Sequence, residues 1–390
     1  MKRFILHLGF HKTATSSIQR TLSSNKDLLD ELGFFYPIFF RGSRCIINHS
    51  IPFYSVYSEK PELYHVNIRN GDSQNIVSVN EEYSSKIDEV LDCNKNVIIS
   101  GEDISILSKS ALENIKCKIQ EKGFSLEVYC FVRRPYSFTC SALQERIKNG
   151  TAVLDDIRVA SKAVDVLKLK SVFGKGVHFF SFENVCIAQE PVVFFIEMLG
   201  IESSQFSIVN SNEGLGNLST RILAHLNVTY PIIKDGNFYV KGRRFFDKSI
   251  DNEKFFLTGD EVDKIRPALI KENKRLFDIL GKDFTDDEFL SSKNLNIDFN
   301  SAVKIYSTYK ESHTSLALLQ FIKENSKFNI SCMCDYFSRD PDFRRDFSMI
   351  YEKDDSCFSL GCIKDSKKTR NQGSYINRKI SECINFFKKC

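Results

Sequence analysis

Residues 4–18 read FILHLGFHKTATSSI, a short apolar run followed by a polar turn and the start of a helix. The apolar run, Phe4–Leu8, is typical of a buried strand. Gly9 follows it, and the spacing of apolar residues from Thr15 onward predicts a helix. A buried strand that enters a helix within a few residues is typical of parallel sheets covered by helices. This stretch therefore predicts an α/β fold.

The rest of the chain repeats this alternation as far as about residue 285. Further strands are predicted at Val97–Ser100, Leu126–Val132 and Val177–Phe182. Helices are predicted at Thr15–Glu31, from a capping box at Ser110 to Gly123, and at Ser137–Lys148, Leu154–Lys170, Pro191–Leu199 and Thr258–Leu280. Residues 34–96 show no clean period and are predicted to be irregular. In a parallel sheet with helices on both faces, ligands bind at the carboxyl ends of the strands.

The alternation fades after this point, so we expect two parts: a domain of residues 1–285 and a mostly helical extension of residues 286–390. The end of the extension is basic, with eight Lys or Arg and two acidic residues from Lys364 onward. Ile376, Ile380 and Ile384 fall at helical spacing there. Two interpretations remain open. This helix packs on the extension with its charges in water, or it lies on an acidic membrane surface.

Composition restricts the class of protein. The 390 residues are 42% hydrophobic and 27% charged, as in a globular protein, and no apolar run is long enough to span a membrane. The apolar stretch near the N-terminus is too short for a secretory signal, so the 12 cysteines are expected to be reduced thiols in the cytoplasm. The net charge of +4 requires no nucleic-acid partner. The cysteines lack the close pairs of a zinc site, and no metal is expected.

The turn after the first strand has the composition of an anion site. It carries Lys12 and four hydroxyl residues, Thr13, Thr15, Ser16 and Ser17, where a helix begins. Free backbone N–H groups and the positive end of the helix dipole favour a phosphate at such a place. The alternative is an ordinary polar turn with a hydroxyl N-cap. The spacing of the glycine and the lysine does not match the phosphate loop of ATPases.

A second candidate anion site follows the third predicted strand. Arg133 stands at the strand end, Pro135 can start a helix, and Ser141 lies eight residues after Arg133. An arginine at a strand end offers two parallel N–H donors to a phosphate. The alternative is a solvated arginine pair, Arg133 and Arg134, on a surface turn.

In their order and spacing, the two motifs resemble those of the sulfotransferases that use 3′-phosphoadenosine 5′-phosphosulfate (PAPS). Residues 11–19, HKTATSSIQ, are similar to the family's HKTGTTSIQ, with Ala14 in place of glycine. We expect Ala14 to keep a negative φ, since alanine disfavours the left-handed region. The resemblance covers roughly residues 1–282 and implies a P-loop-NTPase-like sulfotransferase fold. It places the donor's 5′-phosphate at residues 11–17 and its 3′-phosphate at Arg133 and Ser141. The 5′-phosphate residues are then His11, Lys12, Thr13, Ala14, Thr15, Ser16 and Ser17.

The resemblance also implies an activity. A sulfuryl group would pass from PAPS to a hydroxyl or amine of a carbohydrate or other small-molecule acceptor, leaving PAP, the desulfated nucleotide. Lys12 would stabilise the leaving phosphate without a metal. Residues 241–244, KGRR, resemble the family's loop over the 3′-phosphate. The alternative functions are an ATP-dependent small-molecule kinase and a degenerate nucleotide-binding protein.

The acceptor's proton needs a base. Glu102, after the second predicted strand, is the first candidate, and Asp103 is the second. Alternatively, Glu102 only caps the next turn or pairs with Lys12 or Arg133. His49, in a region that could line the acceptor site, is the rival base, although a lone histidine is more often a plain surface residue.

Overall fold

The computed structural model describes residues 1–210, 214–217, 220–221, 224, 227, 233–234, 237–238 and 254–286. The chain forms two compact units. The first unit comprises Met1–Thr139, Val159–Glu213 and Ile265–Phe289. The second comprises Cys140–Arg158, Gly214–Lys264 and Leu290–Cys390.

The first unit contains a five-stranded parallel sheet. Its strands and two short antiparallel ones are β1 (Arg3–His7), β2 (Phe34–Phe35), β3 (Phe39–Arg41), β4 (Arg44–Ile46), β5 (Asn96–Ser100), β6 (Ser125–Val132) and β7 (Val177–Ser181). The order in the sheet is β2-β5-β1-β6-β7, and β3 pairs with β4 outside it. In the register of the central strands, Leu6 lies between Ile99 and Val128. The predicted α/β class is confirmed, and the four predicted strands lie where expected; β2 was missed.

Helices cover the sheet. They are α1 (Thr15–Ser24), α2 (Lys26–Glu31), α3 (Ser50–Tyr57), α4 (His65–Asn70), α5 (Ile76–Asp92), α6 (Lys109–Glu121), α7 (Pro135–Lys148), α8 (Ala163–Phe173), α9 (Phe182–Ala188), α10 (Pro191–Met198) and α11 (Gly259–Leu280). Phe4 and Leu6 pack in one core cluster, and Ile5 between them packs in another with Ile18 and Leu22 of α1. The central strand is buried on both faces, which is why the residues at its centre, Phe4, Ile5 and Leu6, are all apolar.

Several predicted boundaries were wrong. The helix predicted from Thr15 to Glu31 is broken at Asn25, and α8 begins at Ala163 rather than at Leu154. The N-cap of α6 is Ser108, which accepts a hydrogen bond from the N–H of Ala111, and not Ser110.

Residues 34–96, predicted to be irregular, contain β2, β3, β4 and three α-helices. The longest of these is α5, with 17 residues. Its buried residues Val79, Tyr83, Ile87 and Val90 are spaced at three and four residues. This helical period is present in the sequence, although polar residues obscure it.

In the second unit, Thr258 and Glu261 form a capping box at the start of α11. The Oγ1 of Thr258 accepts a hydrogen bond from the N–H of Glu261, whose carboxylate accepts one from the N–H of Thr258. Strands β8 (Ile233–Lys234) and β9 (Asn237–Phe238) pair antiparallel in this unit. Residues 241–244 and all residues after 286, with the predicted extension and its basic tail, lie outside the described residues. No helix in the described part of the chain combines the length and apolarity needed to cross a membrane.

Candidate functional site

The candidate site lies at the carboxyl ends of the central strands in the first unit. After β1 the chain crosses to β2 on one side of the sheet, and after β6 it passes to β7 on the other side. The chain therefore leaves the adjacent strands β1 and β6 in opposite directions. This opens a crevice between the loops that follow the two strands. Both predicted anion motifs follow these two strands, and they come together in the structure.

The loop after β1 has a strained backbone. Lys12 and Ala14 have φ values of 71° and 61°, and they are the two non-glycine residues with positive φ in the described part of the chain. The expected negative φ at Ala14 was wrong. Ala14 is the N-cap of α1, and its carbonyl oxygen accepts the N–H groups of Ser17 and Ile18. The turn thus takes the conformation that suits glycine, at a cost of about 1–2 kcal/mol for alanine. Such strain is concentrated at functional sites.

Two of the loop's hydroxyls face the protein interior. The Oγ1 of Thr13 donates to the carbonyl oxygen of Phe10, and Thr13 is fully buried. The Oγ1 of Thr15 is also buried, and within the described residues it has no hydrogen-bond partner. Ser16 and Lys12 are half-buried. The hydroxyls of these two threonines therefore point away from any ligand at this loop. Such a ligand would contact backbone N–H groups near Lys12 instead.

Gly9 lets this loop fold closely against the end of β1. A Cβ at Gly9 would lie 2.8 Å from Nε2 of His7 and 2.9 Å from Oγ1 of Thr15. His7 is fully buried, and its Nδ1 lies 2.8 Å from Oγ of Ser100 on β5. Burial lowers the pKa of His7 to about 3. His7 is therefore a neutral residue of the interior.

Arg133 joins the two predicted anion motifs. Its Nη1 donates to the carbonyl oxygen of Lys12 at 3.0 Å, and its Nε donates to Oγ of Ser137 at 2.8 Å. The guanidinium lies over the ring of Phe182, 5.2 Å from the centroid, and its Nε is 3.6 Å from a carboxylate oxygen of Glu183. The arginine is thereby fixed at the mouth of the β1 loop, with 23% of its side chain exposed.

The neighbouring arginine points elsewhere. Arg134 donates through Nε to the carbonyl oxygen of Asp283 at 3.2 Å and through Nη2 to the side chain of Asn184 at 3.0 Å. The two arginines are therefore not equivalent. Ser141 lies on α7 but belongs to the second unit, and its predicted contact with a 3′-phosphate stays a prediction.

Acidic residues after β5 hold His11 of the β1 loop. Nε2 of His11 lies 3.0 Å from Oδ1 of Asp103, and Nδ1 lies 3.4 Å from Oε1 of Glu102. The hydrogen bond to Asp103, and then that to Glu102, raise the pKa of His11 to about 9. His11 is therefore an imidazolium at neutral pH, bound between two carboxylates.

The two carboxylates differ in exposure and in the number of groups that they already bind. Asp103 accepts a second hydrogen bond, at 2.6 Å, from the hydroxyl of Tyr64, and its side chain is 7% exposed. Burial alone would raise the pKa of Asp103, but the bonds from His11 and Tyr64 outweigh it and lower that pKa. Glu102 is 24% exposed and forms its one ion pair among the described residues through Oε1. Its partner is His11 and not Lys12 or Arg133.

His49 is placed for structure. The ring is completely buried, its Nε2 donates to the carbonyl oxygen of Pro37 at 2.7 Å, and its Nδ1 accepts the N–H of Ser100 at 2.9 Å. Burial lowers the pKa of His49 to about 4. Both nitrogens are occupied by backbone groups, and the surface position expected for this histidine was wrong.

The contact between His49 and β5 also brings the acidic turn into place. A Cβ at Gly101 would lie 2.5 Å from the backbone nitrogen of Ser50, so only glycine allows α3 to approach this closely. The N–H of Gly101 donates to the carbonyl oxygen of His7 at 3.0 Å, and Oγ of Ser50 accepts the N–H of Asp103 at 3.0 Å. These bonds align the ends of β1 and β5 and direct the two carboxylates toward His11.

Sequence reasoning missed two contributors. Ser137 lies four residues after Arg133, one helical turn, so its spacing could have identified it. Tyr64 lies 39 residues before Asp103, and no local pattern links the two. In the described residues, no group of three or more His, Cys, Asp or Glu side chains is arranged to hold a metal ion.

Comparison with known proteins adds no relative: no family model, no curated protein and no solved structure matches this chain.

Proposed function

We propose that this protein is a PAPS-dependent sulfotransferase with a P-loop-NTPase-like fold. The observation that carries the proposal is the hydrogen bond from Arg133 to the carbonyl oxygen of Lys12. It joins two motifs that are 121 residues apart in sequence, at the sheet position where α/β proteins bind nucleotides. The resemblance of those same two motifs to the PAPS-binding motifs supplies the identity of the nucleotide.

The donor binds across the two loops. Its 5′-phosphate lies on the backbone N–H groups at the start of α1, where the helix dipole favours an anion. Its 3′-phosphate takes the guanidinium of Arg133, which a nearby hydroxyl, that of Ser137, already orients. Lys12 follows the negative charge that grows on the leaving phosphate as the sulfuryl group departs. In this mechanism, side-chain cations and backbone N–H groups stabilise the negative charge, and no metal is needed for that role.

Glu102 is the base. It takes the proton of the acceptor hydroxyl as the oxygen attacks sulfur in line with the leaving phosphate. Glu102 receives the proton late, when bond formation has made the hydroxyl acidic. Asp103 and Tyr64 act on the base only through His11. The acceptor is a carbohydrate or another hydroxylated small molecule.

Binding measurements test the proposal against a kinase. Isothermal titration calorimetry compares PAP alone with ATP plus Mg²⁺. We expect PAP to bind and ATP to bind at least tenfold more weakly, because Arg133 fits a 3′-phosphate that ATP lacks. Tighter binding of ATP with Mg²⁺ would instead identify a small-molecule kinase. Binding of PAP without PAPS turnover over a panel of sugars would indicate a degenerate binding protein.

A further inference from the structure

A lysine that is largely withdrawn from solvent lies beside this site and has no role in the mechanism above. Lys162 is the residue before α8, and its side chain is only 12% exposed. Its ammonium lies 5.3 Å from the ring centroid of Phe10 in the β1 loop. It also lies 4.9 Å from the ring centroid of Phe138, the residue after Ser137. The lysine thus contacts both of the segments that carry the anion motifs.

The ammonium of Lys162 is poorly satisfied. Within the part of the chain that the structure describes, it donates no hydrogen bond, and its one ion pair, to Asp165, is 3.9 Å long. Burial lowers the pKa of Lys162, and the attraction of Asp165, Glu272 and Asp103 opposes this only in part. A cation with three N–H donors that is withdrawn from water without acceptors is costly, and it is retained where a ligand supplies them.

We propose that Lys162 donates hydrogen bonds to an oxyanion bound beside Phe10, on the side of the site that faces Asp103. The anion is either the sulfuryl group of the donor or an acidic group on the acceptor. This inference rests on the proposed function for the source of the anion. Lys162 is then a second lysine of the site, with Lys12 at the leaving phosphate.

The test uses Lys162→Met, which keeps the length and apolar stem of the side chain and removes its charge. Lys168→Met is the matched control: Lys168 is on α8, is 20% exposed, and donates to Asp165 at 3.4 Å. A ligand-binding lysine weakens the empty protein, so Lys162→Met is expected to raise its melting temperature. A fall larger than that of Lys168→Met would show a structural lysine and overturn the proposal. If the methionine variant does not fold, Lys162→Gln replaces it in every measurement below.

Two titrations identify the source of the anion. The first compares the affinities of PAPS and PAP, which differ by the sulfuryl group alone. If Lys162 binds that group, Lys162→Met weakens PAPS about tenfold and leaves PAP within twofold, since one charge-assisted hydrogen bond is lost. The second titrates inorganic sulfate into protein saturated with PAPS. If Lys162 binds an acidic acceptor group, the variant weakens sulfate about tenfold and leaves PAPS unchanged.

The inference can fail separately from the proposed function. If the wild-type protein binds neither PAPS nor PAP, the proposed function is wrong. The inference is then decided by thermal shift with inorganic sulfate alone, where stabilisation should be retained by Lys168→Met and lost by Lys162→Met. Equal behaviour of the two variants in all of these measurements would overturn the role of Lys162.

Discussion

The candidate site has a cationic half and an acidic half, and each half contacts the loop after β1 through a different residue. In the cationic half, Arg133 reaches the carbonyl oxygen of Lys12. In the acidic half, Glu102 and Asp103 hold His11, the residue immediately before Lys12. Positive φ values at Lys12 and Ala14 turn the backbone of this loop sharply. The loop therefore contacts Arg133 through a backbone oxygen and the two carboxylates through the side chain of His11.

This separation explains why His11 is charged. Without an imidazolium beside them, Glu102 and Asp103 would be two adjacent carboxylates that repel each other and attract nearby cations such as Arg133. With His11 bound to both, one of the two negative charges is offset locally. The predictions below test the two halves one at a time.

The largest effect is expected in the acidic half. Glu102→Gln should lower turnover by about 10²-fold or more, the usual contribution of a general base, and leave PAP affinity unchanged. The measurement is the initial rate of PAP formation from saturating PAPS, with an acceptor identified by screening mono- and oligosaccharides. Glu62→Gln, on an exposed glutamate, is the control and should be neutral.

His49→Gln separates the rival base from a structural histidine. Because it breaks two backbone contacts, we expect it to lower the free energy of unfolding while the folded fraction keeps its turnover. Near-normal turnover of Glu102→Gln together with an inactive but folded His49→Gln would assign the base to His49.

The next effect belongs to the cationic half. Arg133→Ala should weaken PAP binding by tenfold or more, because a charge-assisted contact contributes about 1.5–3 kcal/mol. Arg134→Ala removes an equal charge next to it, but Arg134 points toward Asp283 and Asn184, so PAP affinity should stay within twofold. Isothermal titration calorimetry of PAP binding to both variants measures this difference. Equal losses would mean that only the net charge matters and that Arg133 is not a specific ligand.

The sequence was informative where neighbouring residues decide the outcome. Four strands of the sheet and both anion motifs follow from local apolar runs and from residue types at strand ends, and the structure has these strands and brings the motifs together. The acidic turn was also identified, because Glu102 and Asp103 directly follow a buried strand. Patterns within one strand and the turn that follows it were therefore sufficient to predict these features.

The partners of those residues were not predictable. His11 was assigned to a phosphate by resemblance, whereas its contacts, 91 and 92 residues away in sequence, depend on strand order. Tyr64 and Lys162 come from segments whose local pattern was misread, and their roles follow only from which elements pack together. The burial of His49 likewise depends on the approach of α3 to Gly101.

The pH dependence of the melting temperature tests whether His11 is charged in the folded protein. The folded pKa of His11, about 9, lies above its ordinary value of 6.5, so its stabilising contribution is complete below pH 6.5 and is lost as pH rises through 9. The melting temperature of the wild-type protein should therefore fall over this interval by more than that of His11→Gln, which keeps a hydrogen-bonding group without the charge. Parallel curves for the two proteins from pH 6 to pH 10 would contradict a charged His11.

The smallest effect concerns the strained backbone that separates the halves. Ala14→Gly relieves a cost of about 1–2 kcal/mol for a left-handed alanine but adds about 0.5–1 kcal/mol of unfolded-chain entropy. We expect the free energy of unfolding to rise by about 0.5–1 kcal/mol, measured by urea denaturation at constant slope. Ala111→Gly, inside α6, is the control and should lower it by about 1 kcal/mol or more. A loss of stability in both variants would show that Ala14 does not have a positive φ and that the loop after β1 is not strained at this residue.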